Sequence, residues 1–138
     1  MPVPEHFEVH YGEEEQPILC RSVAEMEAIL DCLHRECRPD RPICVNVVLP
    51  QYWITIGLGT DPTFVLVSVE PCDGEWYLSV GNQSAEGWKD FYGCGNHTPF
   101  ERRNFVPLEL ARQAVREFVE HQRRSRIIRW QDCADQDA

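Results

Sequence analysis

The sequence has no segment that would place the protein in or across a membrane. Its apolar runs fall well short of the roughly 18–20 residues that a membrane-spanning helix needs. The N-terminal residues MPVPEHFEVH contain neither the basic region nor the apolar region of a signal peptide. We therefore predict a cytoplasmic protein without a membrane partner.

The seven cysteines lack the spacing of a disulfide or metal framework. Their number is odd and no two of them form a CxxC pair. Cys94 and His97 are close in sequence, but nothing nearby supplies the two further ligands of a structural zinc site or the orienting group of a nucleophile. We interpret the cysteines as reduced, mostly buried thiols and predict no metal site and no cofactor.

Motifs of the common enzyme classes are also missing. The chain has no GxSxG, no HExxH, no phosphate-binding loop and no GxGxxG that opens a helix. It has no His-Glu pairing with a downstream CxxC, so it is not itself a zinc deaminase. We therefore predict a protein that is not an enzyme and has no catalytic residues.

Basic residues are scarce in most of the chain. Residues 1–100 hold 16 Asp and Glu against 5 Arg and Lys, whereas residues 101–138 hold 7 acids against 8 arginines. An acidic surface repels phosphates, which argues against a nucleic-acid partner. The same surface favours a basic protein partner.

What the sequence does contain is a series of short apolar segments and two amphipathic stretches. Strand patterns occur at residues 6–11, 17–20, 43–49, 52–58, 63–69 and 75–80. The capping box Ser22–Glu25 opens one helix, and Pro107 stands near the start of another. Because the connections between strands are too short for parallel crossovers, we predict an α+β fold with a single antiparallel meandering sheet of about five to six strands packed with two main helices.

The stretch Gly81–Phe105 is too long for an ordinary connection and too aromatic for a disordered one. Its residues Trp88–Cys94 have the composition of an edge strand, and Gly95–Arg103 reads as an arm leading into the last helix. After that helix, the apolar residues 127–130 are predicted to fold back on the core as a hook. We interpret Gly81–Phe105 as an ordered surface that contacts a partner.

The second half of the chain resembles a known family. The resemblance is carried in order by Leu78–Asn82, by Trp88–Tyr92, by Val106–Leu108 with Ala111, Ala114 and Phe118, and by Ile128–Trp130. These segments are similar to the first-numbered immunity-protein family of bacterial polymorphic toxin systems, whose members neutralise deaminase toxins. The likeness covers residues 78–132, and the preceding pattern agrees with it from about residue 6. It departs at 121–126, where the family usually reads Gly-x-x-Pro.

The resemblance implies a single domain over 1–138, with its core at about 6–132 and a frayed tail at 133–138. It implies an immunity protein that binds a cognate toxin, of the deaminase type, and inhibits it by covering the active site. A toxin cleft that attracts nucleic acid should be basic, which an acidic inhibitor can exploit for rapid capture. The oligomeric state is left open.

We predict the partner-binding residues to lie in and beside Gly81–Phe105. They are Asp73, Glu75, Trp88, Asp90, Tyr92, Phe100 and Glu101. Acids at an interface rim and aromatic anchors at its centre suit this role, although the aromatics can equally serve to cover an edge strand. Two alternatives remain: a small-ligand-binding or hydrolytic α+β domain with a pocket under residues 81–105, and an interaction module with a different partner.

Overall fold

A computed structural model describes residues 6–11, 16–69, 75–93 and 96–133. The elements in chain order are β1 (Phe7–His10), β2 (Ile18–Cys20), α1 (Val23–Glu36), β3 (Ile43–Val48), β4 (Tyr52–Leu58), β5 (Val65–Val69), β6 (Glu75–Val80), β7 (Trp88–Gly93), β8 (Asn96–Glu101), α2 (Leu108–His121) and β9 (Arg129–Asp132). In these described ranges no helix has the length and apolar character to cross a membrane.

The strands form one open sheet in the order β2-β1-β3-β4-β5-β6-β9, and each neighbouring pair along it is antiparallel. Strands β7 and β8 form an antiparallel hairpin, which joins the sheet through one parallel bridge between Ile43 and Tyr92. The predicted α+β class with two helices and an antiparallel sheet is therefore confirmed.

The predicted number of five to six strands is wrong, because the described residues form nine. The arm at Gly95–Arg103 contains β8, whose six residues all pair with β7. The hook at 127–130 leads into β9, which pairs with β6 from Val80↔Arg129 to Tyr77↔Asp132. In both cases a strand that would have been an unpaired edge acquires a neighbour, which satisfies its backbone hydrogen-bonding groups.

Both helices begin where polar side chains satisfy their free amides. The Ser22 hydroxyl accepts a hydrogen bond from the Glu25 amide at 3.1 Å, as the capping box predicts. The first turn of α2 has no cap of its own, and the Leu108 amide instead donates to the Asp61 carboxylate at 2.9 Å. This cap comes from a residue 47 positions earlier, so it also ties α2 to the β4–β5 connection.

The main core lies between the helices and one face of the sheet. Alternate strand residues supply the sheet side: Phe7, Val9, Val45, Val47, Ile54, Ile56, Val65 and Val67. The helices supply Met26, Leu30, Leu33, Ala111, Ala114, Val115, Phe118 and Val119. Beside this core, Arg112 of α2 donates to the carboxylates of Glu27 and Asp31 on α1 at 2.8 and 2.9 Å.

A second, smaller core lies on the opposite face of the sheet, which we call the open face. It consists of the buried rings of Phe64, Phe91 and Phe105 with the half-buried Phe100. Gly57 makes room for these rings, since a Cβ there would lie 2.5 Å from Phe91 Cε2. The β7–β8 hairpin therefore covers one end of the open face. This explains why the segment 63–69 is apolar on both sides, as expected for a central strand.

Candidate functional site

The hairpin has two faces of different chemistry, because successive residues of a strand point in opposite directions. Phe91 and Phe100 point inward to the second core. The register then places three cross-strand pairs on the other side, which we call the outer hairpin face: Trp88↔Glu101, Asp90↔Pro99 and Tyr92↔His97. Four of the seven predicted partner-binding residues thus share this face.

The outer hairpin face is held on a rigid support. Phe100 stacks on Phe64 with ring centroids 3.7 Å apart, and Phe91 meets Phe64 edge-on at 4.9 Å. Beyond the rings, the Tyr92 amide donates to the Pro42 carbonyl at 2.9 Å. At the other end the Arg102 amide donates to the Gly87 carbonyl at 3.0 Å. The rings and the Pro42 contact therefore attach the hairpin to the rest of the fold, while the Gly87 contact joins its two strands at the open end.

The connection into the hairpin depends on a glycine. The Gly81 amide donates to the Arg103 carbonyl at 2.8 Å. A Cβ at Gly81 would stand 1.8 Å from the Phe105 carbonyl oxygen, so no side chain fits at this position. This close approach of two backbones holds the segment after β6 against the segment between β8 and α2.

Trp88 and Asp90 are the most accessible of the predicted residues. Trp88 is 59% exposed, the largest value among the exposed large apolar residues that the structure describes. Asp90 is exposed as well, and within the described residues it makes no hydrogen bond or ion pair. Both side chains are thus available to a partner without losing an internal contact.

Tyr92 and Glu101 are already engaged within the molecule. The Arg41 guanidinium lies 4.3 Å from the centroid of the Tyr92 ring, and the His97 ring is 5.8 Å from it on the adjacent strand. Glu101 forms an ion pair with Arg103. Their half-buried side chains frame the exposed Trp88 and Asp90.

The remaining three predicted residues lie elsewhere. Phe100 is on the inner side, stacked on Phe64. Glu75 opens β6 and pairs with Val69, while its side chain is outside the described part of the chain. Asp73 lies outside the described residues altogether. The structure therefore gives Phe100 an internal packing role and does not place the two acids on the outer hairpin face.

The sequence analysis missed two tryptophans on the open face. Trp53 and Trp76 are each 41% exposed, and both pair with Ser68 of the strand between them. The alternation of Tyr52–Leu58 contained the signal for Trp53. Once Ile54 and Ile56 are assigned to the core, Trp53 must point to the other side.

Two surface clefts lie away from the inner side of the hairpin. A cleft of about 700 Å³ at the C-terminal end of α2 is lined by Tyr52, Tyr77, Phe118, Gln122, Arg123, Arg124, Ser125, Arg126, Ile128 and Trp130. In it the Arg124 guanidinium stacks 3.8 Å from the centroid of the Tyr77 ring. A second cleft, of about 610 Å³, includes Gly81, Asn82 and Phe105 at its rim. The inner side of the hairpin is itself filled by phenyl rings.

The buried thiols are unsuited to nucleophilic chemistry. Burial, with a smaller effect from Glu25, raises the pKa of Cys20 to about 11. Burial also raises the pKa of Cys37. Over the described ranges no three His, Cys, Asp or Glu side chains form a group that could hold a metal ion.

Comparison with known proteins identifies the family of the chain. A family model described as immunity protein Imm1 matches residues 14–132, which include both helices and every described strand except β1. No curated protein matches the chain. Since the match spans most of the sequence, the chain belongs to the Imm1 family of immunity proteins, and its family implies a cognate toxin as partner and a role in binding.

Proposed function

We propose that this protein inhibits a deaminase toxin by placing its outer hairpin face over the toxin's active site. The observation that carries the proposal is the position of Trp88 and Asp90. They are accessible, lie on one side of a two-stranded hairpin, and are backed by the second core. A rigid surface can bind in a cleft without the loss of conformational entropy that ordering a flexible loop would cause.

The charge of the protein supports this choice of target. The net charge is −10, and on the outer hairpin face the exposed carboxylate of Asp90 has no cationic partner among the described residues, whereas Glu101 is paired with Arg103. A toxin that acts on a nucleic acid or a nucleotide needs a cleft that attracts phosphate. Complementary charge of this kind can raise association rates to about 10⁸ M⁻¹s⁻¹ or more at low salt.

Within this surface we assign Trp88 as the principal anchor and Asp90 as its charged neighbour. Tryptophan is enriched among residues that dominate binding energies, with contributions of about 2 kcal/mol or more. Asp90 can accept hydrogen bonds from arginine or lysine of the toxin, which are stronger than those between neutral groups. Tyr92 and Glu101, whose contacts inside the protein must be kept or exchanged, contribute less. Asp73 and Glu75 join the rim of the interface.

The test uses the product of the neighbouring toxin gene, mixed with the whole 1–138 chain as the binding unit. We expect a stable complex and loss of the toxin's deamination activity. Trp88→Ala should raise the Kd about 30-fold, which corresponds to about 2 kcal/mol. Ile127→Ala, which truncates an exposed apolar residue away from the hairpin, is the matched control. No complex and no loss of toxin activity would overturn the proposal.

A further inference from the structure

The outer hairpin face is small for the task just assigned to it. Each of its strands has six residues. At about 3.4 Å per residue and 4.8 Å between strands, the hairpin presents a projected area of about 200 Å². A stable complex usually buries about 800 Å² on each partner. If the proposed function is correct, the toxin must therefore contact a second surface of this protein.

That second surface must be on the side of the molecule to which the outer hairpin face points. The inner side of the hairpin packs on the open face of the sheet through Phe91, Gly57 and Phe64. Its outer face therefore points away from the sheet in the same general direction as the side chains of the uncovered part of the open face. A partner seated on one surface is next to the other.

The uncovered part of the open face consists of two rows of side chains that cross the sheet. The register gives the row nearer to the hairpin as His10, Asn46, Thr55, Leu66, Leu78 and Gln131. The farther row is Leu19, Glu8, Val48, Trp53, Ser68 and Trp76. At the usual spacings of strands and residues these rows occupy about 400 Å² in projection. Because side chains make a surface uneven, its accessible area is larger than its projected area. The two rows and the hairpin together therefore reach the roughly 800 Å² that a stable complex buries on each partner.

The farther row contains an accessible aromatic pair. Trp53 and Trp76 flank Ser68, which is only 6% exposed although it lies on the open face. Within the described residues neither indole N–H has a hydrogen-bond partner. Trp130, which packs against the main core, donates its indole N–H to the Ser125 carbonyl at 2.8 Å. The indole N–H groups of Trp53 and Trp76 are thus available to a partner, whereas that of Trp130 is used within the protein.

We propose that Trp53 and Trp76 form the second half of the toxin interface. This inference rests on the proposed function. It adds a second contact surface on this protein and the kind of toxin surface that binds there. Half-buried Val48, Leu66 and Leu78 lie near the pair, and Glu8 is the only acid in the two rows, so the surface is mixed in polarity and carries little charge. Its partner is an apolar patch with lysine or arginine beside the basic cleft of the toxin, because indole faces bind cations as well as apolar side chains.

The test compares three sites in the complex. Trp53→Ser and Trp76→Ser should each raise the Kd about tenfold, and the double variant about 100-fold, because the indoles lie about two strand spacings apart and act nearly independently. Ile127→Ser, like Ile127→Ala above, is a matched control, since Ile127 is exposed and apolar and lies outside the two rows. This control should leave the Kd unchanged.

Because removal of either indole uncovers Ser68, a measurement on the unmodified protein is also required. Hydroxyl-radical labelling followed by mass spectrometry should show Trp53 and Trp76 protected at least threefold in the complex, with Ile127 unprotected. If Trp88→Ala weakens binding while Trp53 and Trp76 remain unprotected, this inference is wrong and the proposed function stands. If Trp53 and Trp76 are protected while Trp88→Ala has no effect, the assignment of the hairpin is wrong. If no complex forms, both the proposed function and this inference are wrong.

Discussion

The two faces of the sheet are covered in different ways. One face is covered along its length by two helices, with the core formed by closely packed aliphatic side chains such as Ile54, Ile56 and Val115. The other is covered at one end only, by a hairpin whose Phe91 and Phe100 rings pack on Phe64 and Phe105. The exposed tryptophans Trp53, Trp76 and Trp88 belong to the second side. We propose that the helical side provides stability and that the hairpin side provides the binding surface.

The largest effect is expected when the same substitution, phenylalanine to alanine, is made in the core on each face of the sheet. Phe91→Ala and Phe118→Ala each remove a buried ring, and each should lower the free energy of unfolding by about 3–5 kcal/mol. Only Phe91→Ala removes the support of Trp88 and Asp90. It should therefore weaken toxin binding more than 100-fold at a temperature where both variants are folded.

Urea denaturation and calorimetric titration measure the two quantities. Circular dichroism at the titration temperature establishes that each variant is folded. Equal losses of affinity in Phe91→Ala and Phe118→Ala would mean that the two faces do not have separate roles.

A smaller effect is expected from filling the space beneath the hairpin. Gly57→Ala places a Cβ 2.5 Å from Phe91 Cε2 and 2.8 Å from Phe64 Cε1. Overpacking of this kind costs about 1–3 kcal/mol, and here it should loosen the hairpin before the sheet. Amide hydrogen exchange should accelerate in residues 88–101 and remain slow in α1 and α2.

A compensating change provides the control for this prediction. Phe91→Leu in the Gly57→Ala background removes ring atoms at the point of the clash. It should restore part of the lost hydrogen-exchange protection. Unchanged exchange in the single variant would show that the second core can absorb a methyl group.

The order of the strands and helices could be predicted where the information is local. Strand patterns and composition identified the segments of β1 to β7, and the capping box identified the start of α1. Strand β8 was interpreted as an arm because it contains Pro99 and polar residues. Its extended form comes from pairing with β7, and Pro99 is tolerated because β8 pairs on one side only. The Asp61 cap of α2 is equally non-local.

The candidate site, too, could be predicted only where the information is local. The pattern WKDFY shows that half of its side chains point outward, but not which half. That choice is made by Gly57 and Phe64, which lie beneath the hairpin and accept Phe91. Phe100 was assigned to the interface by its composition, whereas its place in the stack on Phe64 depends on the strand pairing.

The smallest effect concerns the helical side and its dependence on pH. Cys20 is fully buried at the end of β2, and its pKa is raised to about 11 from the value of 9.0 expected for an unperturbed thiol. Between these two pH values the unfolded chain releases the proton while the folded chain retains it. The free energy of unfolding should therefore fall as pH rises from 9 towards 11, by about 1 kcal/mol per pH unit from this thiol.

Cys20→Ala removes this dependence, and urea denaturation at pH 8, 9 and 10 measures the difference between the two proteins. Iodoacetamide should modify Cys20 only after unfolding, because both burial and the raised pKa suppress the thiolate. The half-buried Cys32, on the α1 helix, provides a comparison within the same molecule. Alkylation of Cys20 as fast as that of Cys32 in the native protein would show that the core on the helical side opens readily, which would contradict the role of this face as the stable one.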